Sequence, residues 1–300
     1  MAKRRPPMVH GLVLIDKPAG MTSHDVVSKL RKALGERRIG HAGTLDPDAT
    51  GVLVVGVGRA TRLMQFVTGA DKEYSAEVVL GSRTNTLDDS GVVLETFDMT
   101  GITIGDVRRV VNEYLTGDIK QVPPMVSALK VDGKRLHEYA REGVEVERKA
   151  RPVTVTRFEV EETGNPLVIA MRVECSSGTY VRTLADDLGR LLGGGAHMRT
   201  LRRHRVGHFT EGMLSSLDEP TLRDEVEMVS HLPRIDVNEE TAVRVLHGAM
   251  LAMEGELSSG SPWRLHAPNG ALLAVYEATE TRTQSGVTLA KPIVVVGMAG

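Results

Sequence analysis

The most constraining feature of this chain is a buried strand that follows directly on a glycine-rich polar loop. Residues 52–57 form a continuous apolar run, mostly β-branched, which is typical of a strand buried on both faces. In the preceding loop, residues 40–51, Asp46 stands before Pro47, and a residue before proline favours an extended backbone. By itself, an Asp-Pro pair most often marks a plain turn. Loops fixed by a rigid scaffold are also where catalytic groups are usually placed, so Asp46 is a candidate carboxylate.

The first 230 residues alternate strand patterns with amphipathic helix patterns. Thr22 with Asp25, and Thr103 with Asp106, have the spacing of a capping box, which predicts that a helix begins after each threonine. Because strands separated by helices occur here beside hairpin-like neighbours, we predict an α+β fold with a mixed, largely antiparallel sheet flanked by helices. The clearest predicted strands are residues 11–16, 52–57, 74–80, 153–160 and 167–175.

The chain has 300 residues, which is enough for two domains. We predict a main domain over residues 8–231, in which residues 213–232 are a surface helix or linker, and a small, mostly β domain over residues 232–300. The signals for the second domain are a short helix that ends at His247-Gly248, a hairpin signal at Asn269-Gly270 and a last strand at residues 291–297.

Composition and missing motifs exclude several classes of protein. The net charge of -2 means that nucleic acid would have to bind to a local basic face. The single cysteine, Cys175, excludes an internal disulfide, and its place on an apolar strand face indicates an inert buried thiol. Phosphate-cradling and dinucleotide motifs are absent, as is metal-ligand spacing, so we expect neither cofactor nor metal. With no apolar run long enough to span a membrane, we expect a soluble cytoplasmic protein.

Two segments are locally basic. Residues 120–151 are interrupted by Pro123-Pro124 and are predicted either to be a solvated insertion or to clamp a phosphate backbone. Residues 197–205 form a second basic patch that could add to such binding. The basic residues of the two segments are Lys120, Lys130, Lys134, Arg135, Arg141, Arg148, Lys149, Arg151, Arg199, Arg202, Arg203 and Arg205.

Among the polar residues, Asp46 and Arg182 form a candidate catalytic pair. An arginine beside an aspartate favours the ionised carboxylate. That carboxylate could attack an anomeric carbon or remove a proton from a neighbouring carbon. The alternative for Arg182 is a structural salt bridge, which is the commoner situation for an arginine.

Residues 40–51 resemble the active-site motif of the TruB family, the bacterial tRNA pseudouridine 55 synthases. The resemblance continues in the same order through residues 17–20, 71–74, 81–88, 122–130, 177–184 and 194–197, and it covers about residues 10–210. It implies the pseudouridine synthase fold, a PUA-like RNA-binding domain at the C-terminus, and an insertion at about 120–151 that closes over the T arm of tRNA.

The resemblance also implies a reaction and its substrate. Members of the family isomerise uridine 55 in the T loop of tRNA: the glycosidic bond breaks, the base rotates, and carbon 5 rejoins the sugar. The target nucleotide must leave its stack to be reached, which costs a few kcal/mol. Neither a cofactor nor an obligatory protein partner is implied, and tRNA is the expected partner.

Residue roles follow from the same resemblance. Asp46 is the catalytic aspartate, Arg182 orients it, and Tyr74 stacks on the target base near the site of carbon 5 deprotonation. For Tyr74 the alternative is a plain core tyrosine. His41 would fill the space left by the flipped base, and Leu201 would line the uracil pocket. The residues predicted to bind substrate are His41, Leu201, Lys17, Asp88, Tyr180 and Lys130.

Three other functions remain open from the sequence. One is an RNA-binding factor that folds tRNA without using the chemistry. Another is a guide-RNA-dependent relative, although the chain lacks the terminal extensions expected of that group. The last is a glycoside hydrolase, which would need a second carboxylate near Asp46. Asp48 is the nearest in sequence, and it points away if the segment is extended.

Overall fold

The computed structural model describes residues 8–127, 129–253, 260–282 and 287–297. The helices are α1 (Ser23–Leu34), α2 (Gln65–Thr68), α3 (Ile104–Tyr114), α4 (Leu136–Arg141), α5 (Val181–Leu191) and α6 (Glu239–Leu246). The strands are β1 (Gly11–Lys17), β2 (Ile39–His41), β3 (Thr50–Val57), β4 (Lys72–Leu80), β5 (Ser82–Thr84), β6 (Val93–Thr96), β7 (Gly117–Gln121), β8 (Lys130–Val131), β9 (Lys134–Arg135), β10 (Arg151–Glu162), β11 (Val168–Cys175), β12 (Ala196–Val206), β13 (Phe209–Thr210), β14 (Arg234–Asp236), β15 (Leu251–Met253), β16 (Pro262–His266), β17 (Leu272–Arg282) and β18 (Thr288–Val295).

A nine-stranded sheet forms the body of the protein. Its strand order is β1-β3-β12-β4-β11-β10-β7, with β13 beside β12 and β2 beside β3. The pairing of β12 with β3 is parallel, whereas β12 pairs with β4 in antiparallel fashion. The predicted α+β fold with a mixed, largely antiparallel sheet is therefore confirmed.

The β3 strand lies inside the sheet and is buried on both faces, as its sequence predicts. Its alternate side chains enter two separate cores: Val52 and Val54 pack with Leu12 on one face. Leu53 and Val55 pack against α1 on the other face. Because residues 51–57 of this strand are all buried, the loop that precedes it is held at a fixed place on the sheet.

The local helix signals are confirmed. The Thr22 hydroxyl accepts a hydrogen bond from the Asp25 amide at 3.1 Å, and the Asp25 carboxylate accepts one from the Thr22 amide at 2.9 Å. The same reciprocal pair, between Thr103 and Asp106, starts α3. The first helix ends at Gly35, which adopts the left-handed conformation (φ 61°) that glycine permits at low cost.

Residues 213–232 lie mostly at the surface, as predicted, and include a short 3-10 helix at Glu225–Val229, but they pack along β1 rather than forming a free linker. Main-chain amides of Ser215 and Arg223 donate to carbonyls of β1, each at 2.8 Å. Met228 and Val229 are fully buried. The segment covers the edge of β1 that has no strand partner, and Met228, Val229 and Leu232 belong to the same core as that strand.

The C-terminal residues build a second sheet with strand order β14-β16-β17-β18-β15. The Asn269-Gly270 turn joins β16 to β17, as predicted, and Gly270 has a φ of 81°. The last strand begins and ends slightly earlier than the sequence indicates. Leu272, Val275 and Val294 share a core with Leu12, so the two sheets pack together. This mostly β unit has the character expected of a PUA-like domain, while the domain boundary at 231/232 stays a prediction. In the described ranges, no helix combines the length and hydropathy needed to cross a bilayer.

Candidate active site

Buried groups from other parts of the sheet and from α1 hold the loop that carries Asp46. On one side, the Ser23 hydroxyl accepts a hydrogen bond from the Leu45 amide at 2.9 Å and lies 3.1 Å from the Leu45 carbonyl, to which it donates. On the other side, the Lys17 ammonium donates to the Pro47 carbonyl at 2.8 Å. Residues on both sides of Asp46 are thus fixed by side chains, which pre-organises the carboxylate.

Arg203 of β12 holds the same loop from beneath. It is 1% exposed, and its Nε donates to the Val52 carbonyl at 2.8 Å. Its two terminal nitrogens reach the carbonyls of Gly43 at 3.1 Å and Thr44 at 3.4 Å. The sequence placed Arg203 in a basic patch for RNA, but its burial makes it part of the protein interior.

Asp46 and Arg182 form the predicted pair. Arg182 Nε lies 3.0 Å from Asp46 Oδ2, and Arg182 Nη2 lies 3.2 Å from Asp46 Oδ1. This two-point contact fixes the plane of the carboxylate as well as its position. The arginine side chain is 6% exposed and that of the aspartate is 38% exposed, so the carboxylate remains accessible while its partner is enclosed.

The same guanidinium reaches three further groups. Arg182 Nη1 lies 3.3 Å from Asp88 Oδ2 and donates to the Thr86 carbonyl at 3.0 Å. Its Nη2 donates to the Val126 carbonyl at 3.1 Å. Arg182 therefore joins the loop of Asp46 to the β5–β6 turn and to the basic insertion.

The start of α5 is fixed from β7. The Tyr180 amide donates to the Gln121 side-chain oxygen at 3.0 Å, and the Gln121 amide nitrogen donates to the Tyr180 carbonyl at 3.3 Å. Gln121 is buried. This exchange satisfies main-chain groups at the helix terminus and sets the direction in which Arg182 leaves the helix.

Burial sets the electrostatics of the acidic and phenolic groups. It raises the pKa of the Asp46 carboxyl; Arg182 opposes that rise, and Asp88 adds to it. Burial likewise raises the pKa of Tyr74, against the attraction of Arg203. A carboxylate with a raised pKa is a stronger base and nucleophile once it has ionised.

Burial also lowers the pKa of three basic groups around the loop. The pKa of Lys17 and that of Lys72 each fall to about 8. The pKa of His41 is lowered by burial and by the charge of Arg203, which favours the neutral imidazole, and its Nδ1 has no hydrogen-bond partner within the described residues.

A cavity of about 370 Å³ opens beside Asp46. That volume lies in the range of small-molecule pockets and suits a single nucleoside. Five of the predicted site residues line it together. The lining residues are Gly43, Thr44, Leu45, Asp46, Thr68, Gly69, Lys72, Tyr74, Ser127, Ser177, Gly178, Thr179, Tyr180, Val181, Arg182, Leu201 and Arg203.

Four predicted residues lie outside this cavity. Asp88 contacts Arg182, His41 lies half-buried on β2, and Lys130 is exposed on β8. The prediction that Lys17 contacts substrate needs correction, because Lys17 has no exposed surface. Its ammonium donates to two main-chain carbonyls, so Lys17 supports the loop.

The basic patch at 197–205 is largely neutralised. Besides the buried Arg203, its arginines pair with carboxylates of neighbouring strands and turns. The ion pairs are Arg199–Glu77 at 2.9 Å, Arg202–Asp16 at 3.0 Å, Arg202–Glu211 at 2.6 Å and Arg205–Glu174 at 3.2 Å. The hypothesis that this patch binds phosphate is therefore disfavoured.

Several residues that line the cavity were not predicted as site residues, among them Lys72, Ser177 and Arg203. A signal for Arg203 was present, since Leu201 and Arg203 are two residues apart on one strand and so lie on the same face.

Cys175 is buried as predicted, and burial raises the pKa of its thiol to about 11. In the described part of the chain, no three His, Cys, Asp or Glu side chains are placed to hold a metal ion.

Comparison with known sequences identifies two matching families. Residues 31–181 match the family described as "TruB family pseudouridylate synthase (N terminal domain)". Residues 182–236 match "tRNA pseudouridylate synthase B C-terminal domain". The chain is 46% identical over 289 residues to the tRNA pseudouridine synthase B of Mycobacterium sp. (strain KMS), covering 93% of this chain and 96% of that protein. The corresponding protein of Heliobacterium modesticaldum is 43% identical over 283 residues, which cover 91% of this chain and 92% of that protein.

A solved structure shares the fold. It is described as an H/ACA RNP bound to a substrate RNA containing 2'-deoxyuridine, and it superposes with a TM-score of 0.72 at 26% identity. The match covers 96% of this chain and 85% of that chain.

Proposed function

The chain belongs to the TruB family of pseudouridylate synthases, and from that premise we propose how it acts on RNA. It is an enzyme that converts uridine in tRNA to pseudouridine. We propose that its target is uridine 55 in the T loop. Membership of this family rules out the glycoside hydrolase alternative.

Asp46 is the catalytic group of this proposal. The observation that carries it is a carboxylate held at two points by the enclosed Arg182 while its own side chain stays 38% exposed beside a nucleoside-sized cavity. An ionised Asp46 attacks the anomeric carbon or removes the neighbouring sugar proton, and either route releases the base. Arg182 orients the carboxylate and stabilises its charge.

Tyr74 and Leu201 form the base-binding side of the cavity. Both line it, and Tyr74 is 7% exposed. We propose that the Tyr74 ring stacks on the extruded uracil and that its oxygen lies near carbon 5, while Leu201 packs against the opposite edge. Apolar walls of this kind exclude water while the base is detached and rotating.

The insertion supplies contacts that offset the cost of extrusion. Lys120 and Lys130 are exposed and available to phosphates. Because the Val126 carbonyl accepts a hydrogen bond from Arg182, closure of the insertion on the T arm bears directly on the catalytic pair. We expect the enzyme to act in the cytoplasm and without an obligatory protein partner.

One experiment tests target and independence together. Unmodified tRNA is incubated with the purified protein alone, and pseudouridine is mapped by a mass-sensitive method. We expect a single modified position at uridine 55. Modification at another position would refute the proposed target. If pseudouridine forms only after another protein or a guide RNA is added, the enzyme does not act alone.

A further inference from the structure

Arg203 is a buried cation whose hydrogen bonds leave its charge uncancelled. Three of its nitrogens donate to main-chain carbonyls of Gly43, Thr44 and Val52. A carbonyl has no net charge, so these bonds give each nitrogen an acceptor without neutralising the guanidinium. A buried charge of this kind is costly to maintain, which points to a task that an apolar side chain would not perform.

The strand register places Arg203 between the two reacting regions. On β12, Arg203 lies opposite Tyr74 of β4 and opposite Gly51 of β3. The approach to β3 is so close that a Cβ at Gly51 would lie 2.1 Å from the Arg203 carbonyl oxygen. Gly51 also has a φ of 100°, which glycine tolerates best. The loop of Asp46 and the strand of Tyr74 thus meet at this one residue.

The positive charge acts on the Tyr74 oxygen. Burial raises the pKa of this phenol, and the charge of the nearby Arg203 opposes the rise. Lys72 also lines the cavity, but it donates to the carbonyls of Thr68 and Ala70 on a different segment.

Building on the proposed function, we propose that Arg203 is a positioning residue for the isomerisation. Its guanidinium fixes the Asp46 loop relative to the strand of Tyr74, and its charge stabilises negative charge on the Tyr74 oxygen. Arg203 contacts neither sugar nor base in this role, and it acts through the two residues that do.

The step concerned is the loss of the carbon 5 proton. After carbon 5 has joined the sugar, the C5–H bond breaks and its electron pair forms the C5–C6 double bond. The C6–N1 double bond gives its pair to N1, which takes a proton from water, so the base is neutral again. The C5 proton goes to the Tyr74 oxygen, which has first released its own proton to solvent. A cation beside that oxygen favours its ionised form.

The test replaces Arg203 by lysine, which keeps the charge but lacks the planar fork that reaches three carbonyls. The matched control is Arg172→Lys on β11, where the arginine pairs with Glu73 and its side chain is 49% exposed. Single-turnover pseudouridine formation is measured with tRNA carrying hydrogen or deuterium at carbon 5, together with tRNA affinity and the fraction of folded protein.

For R203K we expect the rate per folded molecule to fall roughly 10- to 100-fold, since a small misplacement of reacting groups has such effects. The dissociation constant for tRNA should stay within about threefold. For Arg203→Gln, which also removes the charge beside Tyr74, the deuterium isotope effect should rise because proton loss becomes slower relative to other steps. R172K should match the wild type. In a Tyr74→Phe background, Arg203→Gln should cost much less than in the wild type, because the charge of Arg203 and the Tyr74 oxygen act in one step.

Arg203→Gln removes the charge and provides a second variant if R203K does not fold. An R203K or R203Q enzyme with wild-type rate per folded molecule would overturn the inference. A slower R203Q enzyme with an unchanged isotope effect and additive behaviour with Y74F would overturn it as well. Failure of the wild-type protein to modify tRNA would instead refute the proposed function.

Discussion

Helix α5 carries two clusters of charged side chains, one turn apart, that differ in their surroundings. Near the start of α5, Arg182 pairs with Asp46 and Asp88 beside the cavity. One turn later, Asp186 pairs with Arg83 at 3.0 Å and with Arg190 at 2.9 Å. We call these the pocket cluster and the helix cluster.

The clusters differ in which partner is enclosed. In the helix cluster the Asp186 side chain is 4% exposed and each of its oxygens faces its own arginine. In the pocket cluster the arginine is enclosed and the Asp46 side chain is 38% exposed. We therefore expect an ion pair to be structural when both carboxylate oxygens are paired with cations. We expect it to be reactive when one cation positions a carboxylate that still faces a cavity.

The sharpest test of this contrast is Asp46→Asn. Asparagine keeps the shape but cannot ionise, so we expect single-turnover conversion to fall by at least roughly 10³-fold. Affinity for tRNA and thermal stability should change little. Release of hydrogen from tRNA labelled at carbon 5 measures the rate, and persistent turnover would remove Asp46 from its assigned role.

Asp186→Asn should behave in the opposite way. Asparagine leaves Arg190 without this ion pair and Arg83 with Glu95 alone, and both arginines reach solvent, so we expect the free energy of unfolding to fall by roughly 1–3 kcal/mol. The rate per folded molecule should stay within about threefold of wild type. Denaturant unfolding and single-turnover kinetics on the same preparation check this. A variant that is stable but inactive would contradict the structural role assigned to the helix cluster.

Tyr74→Phe probes the pocket without touching either ion pair. If the Tyr74 oxygen takes part in proton loss, turnover should fall roughly 100-fold while tRNA binding holds within a few-fold. Equilibrium binding beside single-turnover rates separates the two effects. A large loss of stability with normal turnover would favour the alternative of a plain core tyrosine.

The pH dependence of the reaction should report the pocket cluster alone. Since burial raises the pKa of Asp46 and the ionised form reacts, the rate should rise with pH through a limb that lies above the ordinary carboxyl range. D186N should leave this limb in place. For folding the sign is opposite, because a raised carboxyl pKa means that ionisation disfavours the folded state as pH rises through the same window. A limb at the ordinary carboxyl pKa would contradict the assigned environment of Asp46.

The smallest effect is expected at the exposed edge of the insertion. Lys130→Ala should weaken tRNA binding by only a few-fold and lower the salt slope by about one. Lys134, which pairs with Glu142, is the matched control and should change the slope less. Point variants are preferable to deleting the insertion, because Val126 contacts Arg182. An unchanged slope for Lys130→Ala would show that this lysine does not face a phosphate.

Local signals account for much of the fold. The capping boxes at Thr22 and Thr103, the buried strand after Asp46 and the turn at Asn269-Gly270 were all predicted correctly, because each depends on a few neighbouring residues. The packing of residues 213–232 was not predicted, because their partner, β1, is some two hundred residues away in the sequence. Pattern alone gave no sign that Met228 would be buried against it.

The candidate site divides in the same way. Patterning alone indicated a polar loop with Asp46 before a buried strand, and the resemblance to a family selected Arg182 from many arginines. Neither source predicted that Arg203 is interior while Arg199 and Arg202 are paired at the surface. Likewise, Lys17 was expected at the substrate and is found behind the loop.

The sequence by itself indicated several of the helices and strands and the polar loop that carries Asp46, since these follow from spacing and neighbouring residues. Only the tertiary structure decided which charges are enclosed and paired and which still face the cavity. Asp46 and Arg182 are 136 residues apart, and their properties depend on what surrounds them in space. Burial, the direction of hydrogen bonds and access to a cavity are set by strand order and register, which bring distant residues together.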